Sequence, residues 1–200
     1  GLGLCLAIIT VWAKLITNRI TRLIANFYTT VVRGVPELLV IYLIFFGGNS
    51  VIMGVAKLFG YNGYIELNAL TIGTIAIAFI SATYSSEVIR ASYLAVNKGQ
   101  VEAAKALGLN KIQIFLRVMG PQIIRHALPG IGNVWQITLK DTSLISVTGL
   151  VEIMRQSYIA AGSTRDPLFF YSFAAVLYLL LTFLSMKLIN KLEVRYSKGY

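Results

Sequence analysis

Lys140 and Asp141 stand side by side within an otherwise apolar run, "GIGNVWQITLKDTSLISVTGLVEIM", and Thr142, Ser143 and Ser146 follow them. An ionisable side chain at the centre of a lipid-embedded helix costs about 2.5 to 3.5 kcal/mol on insertion scales, so such a pair must face water or protein. Two readings fit: these residues line an aqueous pathway, or they form an ion pair within the chain or a polar contact between subunits. Glu87 and Arg90, three apart, suit an i,i+3 structural pair whose arginine snorkels, and Glu87 is also a pathway candidate. Glu37, beside Pro36, suits either the pathway or the favourable N-terminal end of a helix.

Covalent and metal chemistry find little to work with. Cys5 is the only cysteine and His126 the only histidine, which excludes a disulfide framework and a Cys/His metal cluster within the chain. No glycine-rich phosphate loop of the G-x-x-x-x-G-K-[ST] type occurs, and one His with one distant Cys makes no nucleophile and base. No catalytic residue, metal ligand or directly bound cofactor is therefore assigned. His126, flanked by Arg125 and near Pro129, reads as structural.

The elements that position these residues are apolar. Of 200 residues 56% are hydrophobic and 13% charged, about half the charged share of soluble domains, which places the chain in a bilayer. One domain, residues 1–200, has room for about five spans of roughly 20 residues. The first, "GLGLCLAIITVWAKLIT", starts without Met inside an apolar run, so its N-terminal part is expected to be missing. The second is expected near Ala25–Phe46, with Pro36 as a helix start or kink. Gly47 to Glu66 reads as an external loop with a short amphipathic piece. "LNALTIGTIAIAFISATYSSEVIRASYLA" is the third span, the run after Pro129 the fourth, "RQSYIAAGSTRDP" a loop, and "LFFYSFAAVLYLLLTFLSMKLI" the fifth. Trp12, Tyr158 and Tyr171 read as interfacial anchors or packing.

Cations orient these spans. Fourteen of the eighteen fall in one set of connections: Lys14, Arg19, Arg22, Arg33; Arg90, Lys98, Lys105, Lys111, Arg117, Arg125; Lys187, Lys191, Arg195, Lys198. Lys57, Arg155 and Arg165 form the other set, and Lys140 stays within a span. The asymmetry predicts an external N-terminus and a cytoplasmic C-terminus, and it accounts for the net charge of +10 without nucleic acid. Glu152 and Arg155 then lie near the outer surface, as ordinary interface charges or where a soluble protein docks. No inverted duplication of halves is visible, which weakens a repeat-built secondary transporter.

One stretch looks soluble: "GQVEAAKALGLNKIQIFLRVMGPQ", residues 99–122, in the longest cytoplasmic connection. Glu102 and Lys105 share i,i+3 register, Gly108 suits the left-handed residue that ends a helix, and Asn110 with Gln113 has capping-box spacing. Ile112, Phe115, Leu116 and Met119 fall on one face of a second helix that Gly120 and Pro121 are expected to end. Ala103, Ala104 and Ala106 permit close approach of a partner, Gly108 sets a bend, and Glu102 can accept charge-assisted hydrogen bonds. The plainer reading is a solvated amphipathic loop.

Through Glu102, Ala103, Ala104, Gly108, Val118 and Pro121 the chain resembles permease subunits of ATP-binding cassette importers. Their motif runs Glu-Ala-Ala, three residues, Gly, nine residues, an apolar residue, one residue, Leu, Pro; Gly120 stands where Leu is usual. "VRGVPELLVIY", "SSEVIRASYLAVNKGQVEAAKALGL" and "LKDTSLISVTGL" resemble the polar amino acid branch, which takes histidine, lysine, arginine, ornithine, opines or glutamine. The resemblance implies an all-α membrane protein of the type I importer permease fold, multi-pass in the bacterial cytoplasmic (inner) membrane. It implies that Glu102, Ala103, Ala104, Gly108, Leu109 and Pro121 couple the chain to an ATPase, within segment 99–121. Implied partners are two ATPase subunits that bind ATP and Mg, a second permease, identical or homologous, an external solute-binding protein, and an amino acid, best a basic one or an opine. Lys140, Asp141, Thr142, Ser143, Glu37 and Glu87 are the residues expected to meet its ammonium and carboxylate groups. An ion-coupled transporter or channel, a permease for another small solute, and a purely structural subunit are the rivals.

Overall fold

The computed structural model describes residues 1–61 and 68–197. Residues 62–67 of the expected external loop, and Lys198 of the cationic tail, lie outside the described residues. Every element among the described residues is helical: α1 (Leu2–Leu15), α2 (Arg19–Gly34), α3 (Glu37–Leu58), α4 (Ala69–Leu94), α5 (Lys98–Ala106), α6 (Lys111–Ile114), α7 (Gly120–Asp141), α8 (Ile153–Thr164) and α9 (Pro167–Ser197).

Helix α4 is the centre of the bundle and packs against α1, α2, α3 and α7. Small residues let its neighbours approach, for Ala76, Ala78, Ala82, Thr83, Ser85, Ser86 and Ser92 are all buried. The hydroxyls of Thr83, Ser86 and Ser92 donate to carbonyls one turn back at 2.7–2.8 Å, so burying them leaves no donor unpaired. A core of Val32, Val40, Ile41, Ala76, Ile80 and Ile145 ties α2, α3 and α4 to the segment after α7. Glycine closes the tightest contacts: a Cβ on Gly130 of α7 would meet Val88 of α4 at 2.6 Å.

By length and composition α4 and α9 are apolar enough to cross a membrane, and α1 is a shorter apolar helix. The expected second span is not one straight helix, since α2 and α3 meet at 111°. Pro36 explains this. It lacks an N–H and biases Val35 to extended backbone, and Val35 is found at φ −104, ψ 142. Conversely the loop expected from Gly47 is helical as far as Leu58, because two glycines in an apolar run weaken a helix without ending it.

Two other prolines do less than expected. Gly120 and Pro121 do not end the second cytoplasmic helix; α6 passes through a π-helix, Phe115–Met119, into α7, with Pro121 in its first turn. Proline removes the donor that an α-helix would aim at Arg117, and the wider turn lets Gly120 N–H bond Phe115 O instead. Pro129 likewise lies inside α7, so the fourth span begins before it. Residues 155–164, expected as loop, are helical because Glu152 caps α8, accepting from Met154 N at 2.8 Å and Arg155 N at 2.6 Å.

Candidate functional site

The hairpin of α5 and α6 forms as its sequence dictates. Asn97 caps α5 by accepting from Gly99 N at 2.8 Å. The helix closes with Gly108 at φ +77, its N–H on Lys105 O at 2.9 Å and Leu109 N–H on Ala104 O at 3.2 Å. Asn110 and Gln113 complete a reciprocal capping box at 2.9 and 3.0 Å. Gln122 at the start of α7 donates to Gln100 of α5 and so pins the hairpin to the bundle.

What the hairpin exposes matters most. Ala104 is buried, whereas Glu102, Ala103, Gly108 and Pro121 are exposed and Leu109 is partly so. On the same segment Leu107 is 81%, Ile112 71% and Leu116 64% exposed, and the Glu102 carboxylate makes no ion pair among the described residues. A solvated loop would gain nothing from three large apolar side chains held outward by two caps and a left-handed glycine; a docking surface would.

The second cluster lies where α3, α4 and α7 converge. Lys140 and Asp141 are not at the centre of a helix but at the end of α7, because Thr142 and Ser143 turn their hydroxyls back onto Leu139 O and Lys140 O, both at 2.7 Å. The backbone tightens there into a 3₁₀ helix, Thr142–Thr148, which Gly149 ends at φ +87. Lys140 is exposed, and the Asp141 carboxyl is within hydrogen-bonding reach of Glu37. Glu37, first residue of α3, also accepts from the Tyr84 hydroxyl at 3.0 Å, and the Arg33 guanidinium lies 5.3 Å from that tyrosine's ring centre. Glu37 and Asp141 are thus brought together beside Tyr84, with Lys140 exposed next to them in sequence, whereas Thr142 lies within hydrogen-bonding reach of Tyr178 and Ser143 bonds its own backbone.

Glu87 is engaged elsewhere. It accepts from Arg90 at 2.9 and 3.1 Å, as the spacing indicates, and also from Lys14, whose side chain is only 5% exposed and which bonds Thr29 at 2.6 Å. Lys14, Tyr84 and Arg33 are the contributors sequence reasoning missed. Lys14 had a signal: it is the only charge in the first apolar run, and its long stem can bury while its head finds an acid. A groove of about 530 Å³ opens beside this pair, lined by Asn26, Thr29, Thr30, Arg33 and Tyr84. Glu152 has a third partner in Tyr178, at 3.1 Å. His126 is exposed, beside Gln100, Gln122 and Arg125.

Among the described residues, two helices long and apolar enough to cross a membrane, polar groups gathered between helices and an exposed hairpin are the features of a membrane-embedded subunit. Residues 3–198 match the family described as the binding-protein-dependent transport system inner membrane component, and the chain belongs to that family. It is 50% identical over 175 residues to the octopine transport system permease protein of Rhizobium meliloti, covering 88% of this chain and 74% of that one. The nopaline transport system permease protein of Agrobacterium fabrum is 53% identical over 179 residues, with 89% and 76% covered. The histidine/lysine/arginine/ornithine transport system permease protein of Escherichia coli is 39% identical, with 99% and 86% covered. Among solved structures, an amino acid ABC transporter with histidines superposes at TM-score 0.80 with 31% identity, over 97% of this chain and 85% of that chain. The fold is therefore that of an ABC importer permease, an inner membrane component whose ATPase is a separate subunit.

Proposed function

We propose that the chain carries a polar amino acid, a basic one or an opine, inward across the bacterial cytoplasmic membrane by alternating access. The identities to octopine, nopaline and histidine/lysine/arginine/ornithine permeases support that cargo class. The working complex has two ATPase subunits that bind ATP and Mg, a second permease and an external binding protein. We read five spans, α1, α3, α4, α7 and α9, with the N-terminus outside and the C-terminus in the cytoplasm, a reading that the cation asymmetry supports.

Glu102, Ala103, Gly108, Leu109 and Pro121, packed over the buried Ala104, form the ATPase-coupling segment, and the observation that carries this is the exposure of Leu107, Ile112 and Leu116 on the capped hairpin that also bears Glu102. Glu37, Asp141, Thr142 and Ser143, with Lys140 exposed next to Asp141, line the substrate pathway; Glu87 borders it and mainly holds helices together.

In proteoliposomes holding the full complex, uptake is expected to need ATP and the partner ATPase. Glu102→Lys and Gly108→Arg are expected to leave folded protein in the membrane, with ATP hydrolysis no longer producing uptake. Normal uptake by both variants would remove the coupling assignment, and ATP-independent uptake would favour an ion-coupled carrier or channel.

A further inference from the structure

Helix α2 has three faces rather than two. At 100° per residue, Ala25, Thr29 and Val32 form a buried sector against α1 and α4. Ile20, Leu23, Ile24, Phe27 and Val31 form a second sector, 41–69% exposed, at the i, i+3, i+4, i+7 spacing of a continuous apolar stripe. Arg19, Arg22, Asn26 and Arg33 form the third, which is exposed and cationic. The bundle already takes the first sector, so the second is not core-facing.

Sixteen residues reach about 24 Å, short of the roughly 30 Å hydrocarbon core, and the 111° turn at Pro36 stops α2 and α3 from crossing as one rod. A helix of this length with an exposed apolar stripe and a flanking row of arginines fits the plane of an interface, apolar edge among acyl chains and guanidiniums among headgroups. Its place is also rigid. Lys14 bonds Thr29 at 2.6 Å and pairs with Glu87, and the Tyr28 hydroxyl donates to Phe79 O at 2.6 Å, so α2 is fastened to α1 and α4.

We propose that α2 is an interfacial elbow whose partner is the anionic phospholipid surface of the inner leaflet, with Arg19 and Arg22 selecting negatively charged headgroups and Ile20, Leu23, Ile24, Phe27 and Val31 entering the acyl region. Charge complementarity singles out this occupant: neither arginine has an acidic partner in an ion pair among the described residues, and inner-leaflet charge attracts each such residue by about 1 kcal/mol. Through Thr29 and Lys14 the elbow's seating on that surface is linked mechanically to α4, which leads directly into α5.

The test places a fluorescent label at position 27 (Phe27→Cys in a Cys5→Ser background), or at position 23 (Leu23→Cys) should the first variant fold poorly, in the complete complex in vesicles. Quenching by brominated phosphatidylglycerol is compared with quenching by brominated phosphatidylcholine, with a label at Leu179 of α9 as the lipid-exposed control. The expected result is strong quenching at 27 by shallow bromines, several-fold stronger for the anionic lipid, and a ratio falling to one in Arg19→Gln/Arg22→Gln or in high salt. A label at 27 left unquenched while that at 179 is quenched would mean that another subunit covers the stripe; a wild-type ratio of one would mean that headgroup charge is not read. Either result overturns the proposal.

Discussion

Lys14 is a cation buried between helices, its side chain 5% exposed. It shares Glu87 with Arg90, and Glu87 is itself 25% exposed, so Lys14→Met leaves a partly solvated acid with one partner, and the loss should fall below the 3–5 kcal/mol of a fully orphaned buried charge. Lys14→Met is expected to lower the thermal midpoint of the purified protein, and Lys14→Met/Glu87→Gln to recover part of that loss, because the second change removes the stranded charge. A double variant less stable than Lys14→Met would contradict the pairing. Tyr84→Phe deletes one hydrogen bond to Glu37, worth about 1 kcal/mol, while keeping the ring under Arg33. It is expected to fold normally. Asp141→Ala should depress uptake far more than Asp141→Asn, which keeps a hydrogen-bonding group facing Glu37; wild-type uptake by both would place Asp141 outside the pathway.

Helix ends decide how the elements meet. Gly108→Ala forces a side chain into the left-handed region at a cost of about 1 kcal/mol, and the disturbance should stay local. Hydrogen exchange is expected to quicken at Gly108 and Leu109 and to stay unchanged in α4. Gly130→Leu acts at long range instead, for even its first carbon meets Val88 at 2.6 Å, so α4 and α7 must part and the thermal midpoint must fall. Most of the hairpin was legible beforehand because caps and a left-handed glycine are local chemistry: Gly108, Asn110 and Gln113 do in the fold what their spacing implies, and only the Asn97 cap was not foreseen. Pro121, Pro129 and the segment after Glu152 were not, since a proline's effect depends on whether neighbours re-route the orphaned carbonyl and a cap's on a partner such as Tyr178, twenty-six residues away. The Glu37–Tyr84–Asp141 meeting was half legible. Each acid stands out in an apolar run, but only the packing of three helices brings them together.

The whole molecule is a bundle threaded by one helical run from Lys111 to Thr148. Its orientation is expected to show in a cysteine map. Positions 155 and 165 should react with impermeant thiol reagents from outside, and positions 98 and 111 only after the membrane is permeabilised; the reverse pattern would invert the topology. Gly130 lies in that run, pressed onto Val88 about 16 Å from Asp141 and about 14 Å from Pro121 along the axis. That tight contact lies near the middle of the run, so a pivot there would work as a first-class lever. A tilt of about 10° there would swing the Asp141 end by roughly 3 Å and the Pro121 end by nearly as much in the opposite sense. A pull on the cytoplasmic arm would thereby become a push, of similar size and reversed direction, against the acids at the other.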